Sequence, residues 1–433
     1  MRYVSTRGAV TGPIETAIMG GTAADGGLYV PETLPVIASA AFSSTEDLPA
    51  VASVFLQPFF SGSSLATRLP EICRTAFDFP LPLRQLEASP GVLSVLELFH
   101  GPTAAFKDVG ARFLARCMEA IIQDGVFATG PVTVLVATSG DTGGAVAAAY
   151  YRRAGSRVVV LFPEGRVSAR QQHQLTCWGE NVVSLAVRGE FDDCQRLVKA
   201  CFADARLRVQ HRLCSANSIN VGRLLPQAAY YAQSSLAHWR STGRSLSFIV
   251  PTGNMGNAFA CVWARRAGLP IDRIILATNA NLTISDYLAT GQWLPRPSIA
   301  TLASAMDVGN PSNMERLQGL CPDIEVVREE VSAIPVSDVD IRSTIVDEFR
   351  RHSLPWCPHT ATGLHVYRNL PATERSGRDW AVVATAHAAK FDTIVEPLLG
   401  TRIKLPDELA ALLARPAHFE TIPPELDALA ARL

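Results

Sequence analysis

Continuous apolar runs alternate with helical patterns from residue 92 onwards, and this alternation constrains the fold more than any other feature of the chain. Apolar runs that predict strands occur at residues 92–98, 132–137, 157–162, 182–187, 246–250, 273–278 and 380–385. Patterns that predict helices occur at residues 143–153, 168–178, 191–202, 223–239 and 257–267. Pro226 is expected to interrupt the fourth of these helices. Because the strands are apolar along most of their length, the sequence predicts an α/β fold whose largely parallel sheet is covered by helices on both faces.

The length of the chain bounds the number of domains. A chain of 433 residues exceeds one ordinary hydrophobic core, so two or three domains or lobes are expected. Residues 1–90 combine prolines and turn signals with weak helical patterns, which predicts a small N-terminal domain without chemistry of its own. Residues 91–433 are assigned to a larger region of two α/β lobes, and the tail beyond Lys404 is expected to form surface helices.

Charge and cysteine content exclude several classes of protein. The 39 basic and 40 acidic side chains nearly cancel, so no surface suited to binding nucleic acid is expected. No apolar run reaches membrane length, and the first residues lack the apolar segment of a secretion signal. The nine cysteines include no Cys-x-x-Cys pair, so reduced thiols in a cytoplasmic protein explain them better than disulfides or a metal site do.

Lys107 is the candidate nucleophile. It lies between Phe106 and Asp108, after a turn and immediately before a helical pattern. Burial would disfavour its ammonium form, and so would the positive end of a helix. A neutral lysine amine is what a Schiff base with a carbonyl compound requires. Taken alone, however, Lys107 is better explained as an ordinary surface lysine.

A glycine-rich turn follows one strand of the predicted sheet, at the edge where ligands of such sheets bind. The segment Ala137–Gly144 links this strand to an alanine-rich helix. Its hydroxyls, glycines and helix-start amides suit a carboxylate. An ordinary N-cap turn built on Ser139 or Asp141 explains the same residues equally well.

Two further segments suit phosphate groups. Pro251–Asn257 places two glycines between a strand and a helix, where backbone amides can approach an anion closely. Its spacing matches neither the Walker lysine loop nor the dinucleotide fingerprint, which favours a small phosphate monoester over a nucleotide. Asn217–Arg223 brings a hydroxyl, two amides and a guanidinium together and could hold a second phosphate. The alternatives are a structural turn for the first segment, and an Asx-rich turn with a solvated arginine for the second.

Several motifs run through nearly the whole chain in a fixed order. They are Tyr3–Gly8, Asp25–Pro31, Phe99–Asp108, Thr138–Gly143, Asn217–Asn220, Asp307–Asn313 and Ala384–Phe391. Together they resemble the threonine synthase family, whose members are pyridoxal 5'-phosphate (PLP) enzymes of the tryptophan-synthase-β-like fold. The resemblance implies PLP fold type II, with two lobes based on parallel sheets and covered by helices, plus a small N-terminal domain.

The resemblance also implies roles for single residues. Lys107 would carry the cofactor as a Schiff base and act as general base and acid. The cofactor-binding residues would further be Gly253, Asn254, Met255, Gly256 and Asn257 at its phosphate, Thr385 at its pyridine nitrogen and Asp141 at its face. The substrate-binding residues would be Thr138, Ser139 and Thr142 at the carboxylate, and Ser218, Asn220 and Arg223 at the phosphate. Met255 departs from the family, which more often has an aromatic residue there.

The reaction that the resemblance implies is conversion of O-phospho-L-homoserine and water to L-threonine and phosphate. The hydroxyl of Thr385 cannot protonate the pyridine strongly, and the weaker electron sink would favour elimination and replacement over transamination. Two alternatives remain, a related phospho-lyase that yields 2-oxobutyrate and a non-catalytic phosphate-sensing protein. The expected partner is the small-molecule substrate, with no metal, and the chain is expected to be a monomer or homodimer.

Overall fold

The computed structural model describes residues 1–8, 11–43, 45–89, 91–125 and 131–433. Within these residues the strands form three sheets. In chain order the strands are β1 Tyr3–Ser5, β2 Thr11–Gly12, β3 Tyr29–Pro31, β4 Leu83–Glu87, β5 Leu93–Glu97, β6 Val132–Ala137, β7 Ser156–Pro163, β8 Val182–Val187, β9 Leu213–Ser215, β10 Leu246–Pro251, β11 Ile271–Thr278, β12 Ser332–Pro335, β13 Asp379–Ala384 and β14 Glu420–Ile422.

The two larger sheets carry the fold. One sheet has the order β12-β11-β10-β13-β5-β4, and all of its neighbouring strands are parallel except β4 and β5. The other has the order β14-β8-β7-β6-β9 and is parallel throughout. Every residue of β5, β6, β10 and β13 is buried, as expected for parallel strands that are covered on both faces. The predicted α/β class with two sheet-based lobes is confirmed.

Helices surround these sheets. In chain order the α-helices are α1 Ile14–Gly20, α2 Leu48–Leu56, α3 Leu69–Ala76, α4 Lys107–Gln123, α5 Asp141–Tyr150, α6 Ala169–Thr176, α7 Phe191–Ala203, α8 Ala205–Gln210, α9 Val221–Thr242, α10 Gly256–Arg266, α11 Thr283–Thr290, α12 Met314–Leu320, α13 Ile324–Glu330, α14 Asp338–His352, α15 Pro358–Asn369, α16 Ala372–Gly377, α17 Asp392–Leu399, α18 Asp407–Leu413 and α19 Leu426–Ala430. Short 3-10 helices occur at Ser39–Phe42, Gln57–Phe60, Ser304–Met306 and Ala388–Phe391.

Helix α9 runs without interruption through Pro226, where the sequence predicted a break. Proline lacks the N–H group that would bond to the carbonyl of Gly222 four residues earlier, so the helix loses one hydrogen bond near its start. Tertiary packing explains why the helix tolerates this loss. Helix α9 packs against α2, α4 and α10, and most of its residues are buried.

Strand β4 lies inside the range 1–90 that the sequence assigns to the N-terminal domain, yet it pairs with β5 in the six-stranded sheet. The small sheet β2-β1-β3 and helices α1 to α3 come earlier in that range. Pro90, the last residue of the range, lies outside the described residues. The division into residues 1–90 and 91–433 stays a prediction.

The C-terminal tail contains a strand as well as helices. Helices α18 and α19 form beyond Lys404 as expected. Between them β14 adds a parallel strand to β8 at the edge of the five-stranded sheet. The tail is therefore part of a lobe and does not only cover its surface.

Two buried polar side chains tie the N-terminal domain to the rest of the protein. Arg316 on α12 is fully buried, and its Nε donates a hydrogen bond to the carbonyl of Tyr29 at 3.1 Å. Another of its nitrogens donates to the carbonyl of Ile219. Asn220 donates through Nδ2 to the carbonyl of Ile18 at 2.8 Å. Backbone groups of the N-terminal domain therefore help to hold the loop that precedes α9.

All nine cysteines are buried free thiols. Among the residues that the structure describes, no helix combines the length and apolar character needed to cross a bilayer. Within that same part of the chain, no group of three or more His, Cys, Asp or Glu side chains is placed to hold a metal ion.

Candidate active site

A cavity of about 760 Å³ lies where strands of the two larger sheets end. Residues at the carboxyl ends of β6, β9 and β10 line it, together with the residue after β13. This is the edge at which parallel α/β sheets bind ligands. All but two of the predicted site residues line the cavity, namely Lys107, Thr138, Ser139, Thr142, Ser218, Arg223, Gly253, Asn254, Met255, Gly256, Asn257 and Thr385. The two exceptions are Asp141 and Asn220.

Lys107 is the first residue of α4, directly after the loop that joins β5 to this helix. Its side chain is 15% exposed, and its ammonium lies beside the ring of Phe106. Burial lowers the pKa of Lys107 to about 8, although the nearby carboxylate of Asp141 opposes part of this change. The buried setting and lowered pKa expected of a nucleophilic amine are thus both present.

Asp141 lies behind Lys107, away from the cavity wall. One carboxylate oxygen is 3.9 Å from Nζ of Lys107, and the other is 2.9 Å from Nζ of Lys390. Burial alone would raise the pKa of Asp141, but the two ammonium groups and a hydrogen bond from Gln171 hold it well below its ordinary value. Asp141 is therefore an ionised partner of lysines, whereas the resemblance implied a contact with the cofactor face.

The side-chain hydroxyl of Thr138 holds the turn between β6 and α5 in shape. Thr138 accepts hydrogen bonds at Oγ1 from the backbone N–H groups of Gly140 and Gly143, at 3.0 and 2.9 Å. Gly140 has a φ of 141°, and a Cβ there would lie 2.7 Å from a neighbouring glutamine side chain. Ser139 is exposed and Thr142 is half-buried, and both line the cavity at the start of α5. Unpaired N–H groups at a helix start favour a bound carboxylate.

The loop between β10 and α10 is the segment for which the sequence predicts a phosphate site, and it lines the cavity. Met255 adopts a left-handed backbone conformation with a φ of 62° and leads into α10. A Cβ at Gly253 would lie 2.6 Å from the backbone Cα of Met306, so a larger residue would force the loop to move. Asn257 accepts hydrogen bonds at its side-chain oxygen from two tyrosine hydroxyls of α9. Its Nδ2 is thereby left as a buried donor with no partner among the described residues.

The second predicted phosphate site adjoins the first. Nδ2 of Asn254 donates a hydrogen bond to Oγ of Ser218 at 2.7 Å. Arg223 lines the cavity but is only 2% exposed, and one of its terminal nitrogens binds the carbonyl of Ala216. Burial lowers the pKa of Arg223 to about 10, and its Nε has no partner among the described residues. The guanidinium is therefore buried beside the cavity, and the alternative of a solvated arginine does not hold.

Asn220 does not line the cavity. Its side-chain oxygen accepts a hydrogen bond from the N–H of Gly222 at 2.9 Å and caps α9. Its Nδ2 donates to the carbonyls of Ile18 and Ser215, at 2.8 and 2.9 Å. Because these bonds lie inside the protein and Asn220 is fully buried, the residue positions the loop. The geometry gives no support to the contact with substrate phosphate that the resemblance implied.

Thr385 directly follows β13 and lines the cavity. Its carbonyl accepts a hydrogen bond from the N–H of Phe106 at 2.8 Å, which ties the end of this strand to the residue before Lys107. Thr385 and Lys107 are therefore close neighbours in one cavity, as a shared cofactor requires.

Two further side chains at the site were not assigned from the sequence. His359 on α15 lines the cavity, and its Nε2 accepts a hydrogen bond from the N–H of Ala305 at 3.0 Å. Burial lowers the pKa of His359 to about 4, so the ring is neutral with its proton on Nδ1, which has no partner among the described residues. The other residue is Lys390, whose sequence signal was a lone lysine inside the apolar segment 388–391. His359 had no comparable signal.

Comparisons with known proteins match three family models along the chain. The model described as "Pyridoxal-phosphate dependent enzyme" matches residues 74–386, "Threonine synthase N terminus" residues 2–77 and "Threonine synthase, C-terminal" residues 360–432. The threonine synthase of Escherichia coli (strain K12) is 38% identical over 420 residues, which cover 95% of this chain and 94% of that protein.

Solved structures give the same result. A crystal structure of threonine synthase from Escherichia coli has a TM-score of 0.89 at 35% identity, and the match covers 100% of this chain and 99% of that one. A PLP-bound threonine synthase from Brucella melitensis has a TM-score of 0.90 at 36% identity, with 100% and 98% covered.

The residues of the cavity fit PLP. The unpaired Nδ2 of Asn257 and the amides at the start of α10 suit its phosphate, and Lys107 supplies an amine with a lowered pKa. The expected cofactor is confirmed by the family match and is consistent with this fit. The chain belongs to the threonine synthase family of PLP-dependent enzymes.

Proposed function

We propose that this chain converts O-phospho-L-homoserine and water to L-threonine and phosphate. The observation that carries the proposal is one cavity that contains a lysine amine of lowered pKa and two adjoining sites suited to phosphate groups. One site takes the phosphate of the cofactor and the other takes that of the substrate. A substrate without a phosphate would leave the buried Nε donor of Arg223 at the second site unpaired, which is unfavourable.

Lys107, the loop 253–257 and Thr385 hold the cofactor in this proposal. Lys107 would supply the amine for its aldehyde, the loop would supply amides for its phosphate, and the hydroxyl of Thr385 would serve its ring nitrogen. When bound, the cofactor supplies an electron sink that makes the protons on carbons near the substrate amino group acidic. A threonine hydroxyl is too weak an acid to protonate the ring nitrogen strongly, which limits that sink.

The substrate is held at both of its ends. Arg223 and Ser218 bind the phosphate, and the hydroxyls of Ser139 and Thr142 bind the carboxylate at the start of α5. A buried guanidinium with an unpaired N–H suits a phosphate because a charge-assisted hydrogen bond satisfies it. Two anchored ends fix the carbon chain beside Lys107, which favours reaction at defined atoms.

Lys107 moves the protons. Its pKa of about 8 lets the amine act as a base close to neutral pH. The amine takes the proton from Cα, a second proton leaves Cβ, and the phosphate departs from Cγ. The departing phosphate carries the Cβ proton away, and the ammonium form of Lys107 gives the Cα proton to Cγ. Water then adds its hydroxyl at Cβ, and its remaining proton returns through Lys107 to Cα. The neutral ring of His359 adds no charge to the cavity.

We place the enzyme in the cytoplasm, as a monomer or homodimer. The support for the compartment is that all nine cysteines are free, as is usual where thiols stay reduced. Light scattering on the purified protein measures the assembly state.

Product analysis tests the function. PLP-loaded protein is incubated with O-phospho-L-homoserine, and threonine, phosphate and 2-oxobutyrate are quantified together, with Lys107→Ala as the inactive control. We expect threonine and phosphate in equal amounts. Release of 2-oxobutyrate and ammonia in place of threonine would assign the phospho-lyase instead. Binding without any release of phosphate would indicate a phosphate-sensing protein.

A further inference from the structure

Lysine is rare in this chain. Of the 39 lysine and arginine residues only four are lysines, namely Lys107, Lys199, Lys390 and Lys404. Lys107 and Lys199 line the cavity, and Lys390 contacts Asp141 just behind it. Arginine provides the positive charge almost everywhere else. Its guanidinium is larger than an ammonium and, unlike an ammonium, does not deprotonate in proteins. The two largely buried lysines, Lys107 and Lys390, therefore provide compact amines where arginine would place a larger guanidinium.

Lys390 is among the most buried charged residues at the site. It lies in the 3-10 helix that follows β13 and is 1% exposed. Its Nζ is 2.9 Å from one oxygen of Asp141 and donates a hydrogen bond to the carbonyl of Thr103 at 2.7 Å. A buried ammonium is tolerated only when it is paired in this way. Lys390 does not line the cavity, so its effect on the chemistry must pass through a neighbour.

Asp141 is that neighbour, and two lysines share it. The oxygen that contacts Lys390 also accepts a hydrogen bond from Gln171 at 3.1 Å. The other oxygen lies 3.9 Å from Nζ of Lys107, which is beyond hydrogen-bond distance. The carboxylate is therefore held toward Lys390, and Lys107 is its more distant partner.

The remaining titratable groups around this cluster come from three helices and two loops. They are Arg223 on α9, Asp108 on α4, His359 on α15, Cys357 before it, and His387 just before the 3-10 helix of Lys390. Burial lowers the pKa of His387 to about 4, so this ring is uncharged. Burial lowers the pKa of His359 to about 4 and raises that of Cys357, so both are uncharged. Burial also raises the pKa of Asp108, whose oxygens are engaged by a threonine. Two other cations, Lys390 and Arg223, therefore disfavour the ammonium form of Lys107. Among these groups only Asp141 favours that form directly.

We propose that Lys390 is a positioning residue for Lys107. By holding Asp141 as its own nearer partner, the Lys390 ammonium draws that carboxylate away from Lys107 and adds a second positive charge behind it. Both effects favour the neutral amine of Lys107. This role rests on the proposed function, in which Lys107 must be neutral to bind the cofactor aldehyde and to act as a base.

Removing the charge of Lys390 and removing the charge of Asp141 should shift the pKa of Lys107 in opposite directions. In Lys390→Met, Asp141 has Lys107 as its main cationic partner, so the pKa of Lys107 rises by about 1 unit. In Asp141→Asn, the neighbour keeps its shape and loses its charge, so the pKa of Lys107 falls. The double variant lacks both charges, and its value lies between those of the single variants. A residue that only supports the fold would not produce this order.

Competitive labelling measures this pKa in the cofactor-free, full-length protein. Trace acetic anhydride is added across a range of pH, and mass spectrometry quantifies acetylation of Lys107 relative to an added lysine peptide. The presence of only four lysines keeps each site resolvable. Lys404→Met removes an exposed lysine and is the matched control, which should leave the titration of Lys107 unchanged.

We expect the pKa of Lys107 to be highest in Lys390→Met, intermediate in the wild type and lowest in Asp141→Asn. An unchanged or lower pKa of Lys107 in Lys390→Met overturns the proposal. If a melt followed by circular dichroism shows that this variant does not fold, Lys390→Gln keeps a hydrogen-bond donor without the charge and must give the same upward shift. A Lys107 titration in Asp141→Asn that equals that of wild type also overturns it. Because acetylation involves no substrate, this failure is distinct from a failure to form threonine.

Discussion

Asn254 donates a 2.7 Å hydrogen bond from its side-chain amide to the hydroxyl of Ser218, and this contact joins the loop before α10 to the loop before α9. The sequence predicts a separate phosphate site for each of these loops. The contact between Asn254 and Ser218 places the two loops side by side in the wall of one cavity. A residue of either loop can therefore affect both phosphates, and experiments must measure cofactor and substrate binding separately.

Arg223→Ala is expected to raise the KM for O-phospho-L-homoserine far more than it weakens PLP binding. Loss of a charge-assisted contact costs about 1.5–3 kcal/mol, which corresponds to roughly 10- to 150-fold. Ser218→Ala removes a neutral hydrogen bond worth about 1 kcal/mol and should raise the KM less. Cofactor-free protein is titrated with PLP, and loaded protein with substrate. A collapse of PLP affinity in Arg223→Ala would mean that the two phosphate sites are exchanged.

Lys107→Ala should abolish threonine formation while the fold survives. Loss of a general base alone lowers rates by roughly 10²–10⁴-fold, and loss of the covalent link to the cofactor adds to that. The variant should also lose the visible absorbance of cofactor bound through a lysine. Circular dichroism checks the fold, with Lys404→Ala as a control at an exposed lysine. Turnover near the wild-type rate would disprove the assignment of Lys107.

Recombination of the cofactor-free protein with PLP should become faster as the pH rises through about 8. Burial lowers the pKa of Lys107 from its ordinary value of 10.5 to about 8. Below this pH the amine is protonated and cannot attack the aldehyde, and above it the amine is neutral. Stopped-flow absorbance gives the rate at each pH. A midpoint near the ordinary lysine value would show that Lys107 is solvated in the free protein.

Gly253→Ala should destabilise the cofactor-free protein, whereas Gly256→Ala should not. A Cβ at Gly253 would lie 2.6 Å from the backbone Cα of Met306, but a Cβ at Gly256 would make ordinary contacts at 3.5 Å or more. Forced overpacking of this kind costs about 1–3 kcal/mol. Thermal melts of both variants measure the difference. Equal melting temperatures would indicate that the loop 253–257 can move without loss of stability.

Thr385→Asp should divert the reaction from threonine toward a 2-oxo acid. A carboxylate at the ring nitrogen would keep that nitrogen protonated through a charge-assisted hydrogen bond and strengthen the electron sink. We expect less threonine per phosphate released. Because a buried carboxylate without a partner costs several kcal/mol, a melt must accompany the product ratio.

Thr385→Ser is the matched control for this experiment, since it keeps the hydroxyl. It should retain the wild-type ratio of threonine to phosphate. If Thr385→Asp folds, binds PLP and also retains that ratio, Thr385 does not face the ring nitrogen.

The sequence predicted the strands at 132–137 and 182–187 with their observed bounds, because apolar residues, about half of them the β-branched residue valine, fill most of each strand. It did not predict β9, β12 or β14, which are short and owe their pairing to neighbouring strands. The break expected at Pro226 is absent because tertiary packing along α9 outweighs one lost hydrogen bond.

At the site, the sequence indicated which loops meet but not which side chains face the ligand. Asn220 illustrates the limit, because an asparagine before a helix can bind a ligand or cap the helix, and only the position of Ile18 decides between them. The pairing of Asp141 with Lys390 joins segments far apart in the chain, so no local pattern could reveal it.

The carbonyls of Tyr29 and Ile18 have a consequence for protein engineering. The N-terminal domain contributes no catalytic lysine, so a shortened chain that begins at β4 would keep every residue of the proposed chemistry. Yet Arg316 and Asn220 would each lose a buried acceptor, beside the loop that is proposed to bind substrate phosphate. Truncation or exchange of this domain is thus expected to damage substrate affinity before it damages cofactor capture, and a chimera would need to recreate both carbonyls in place.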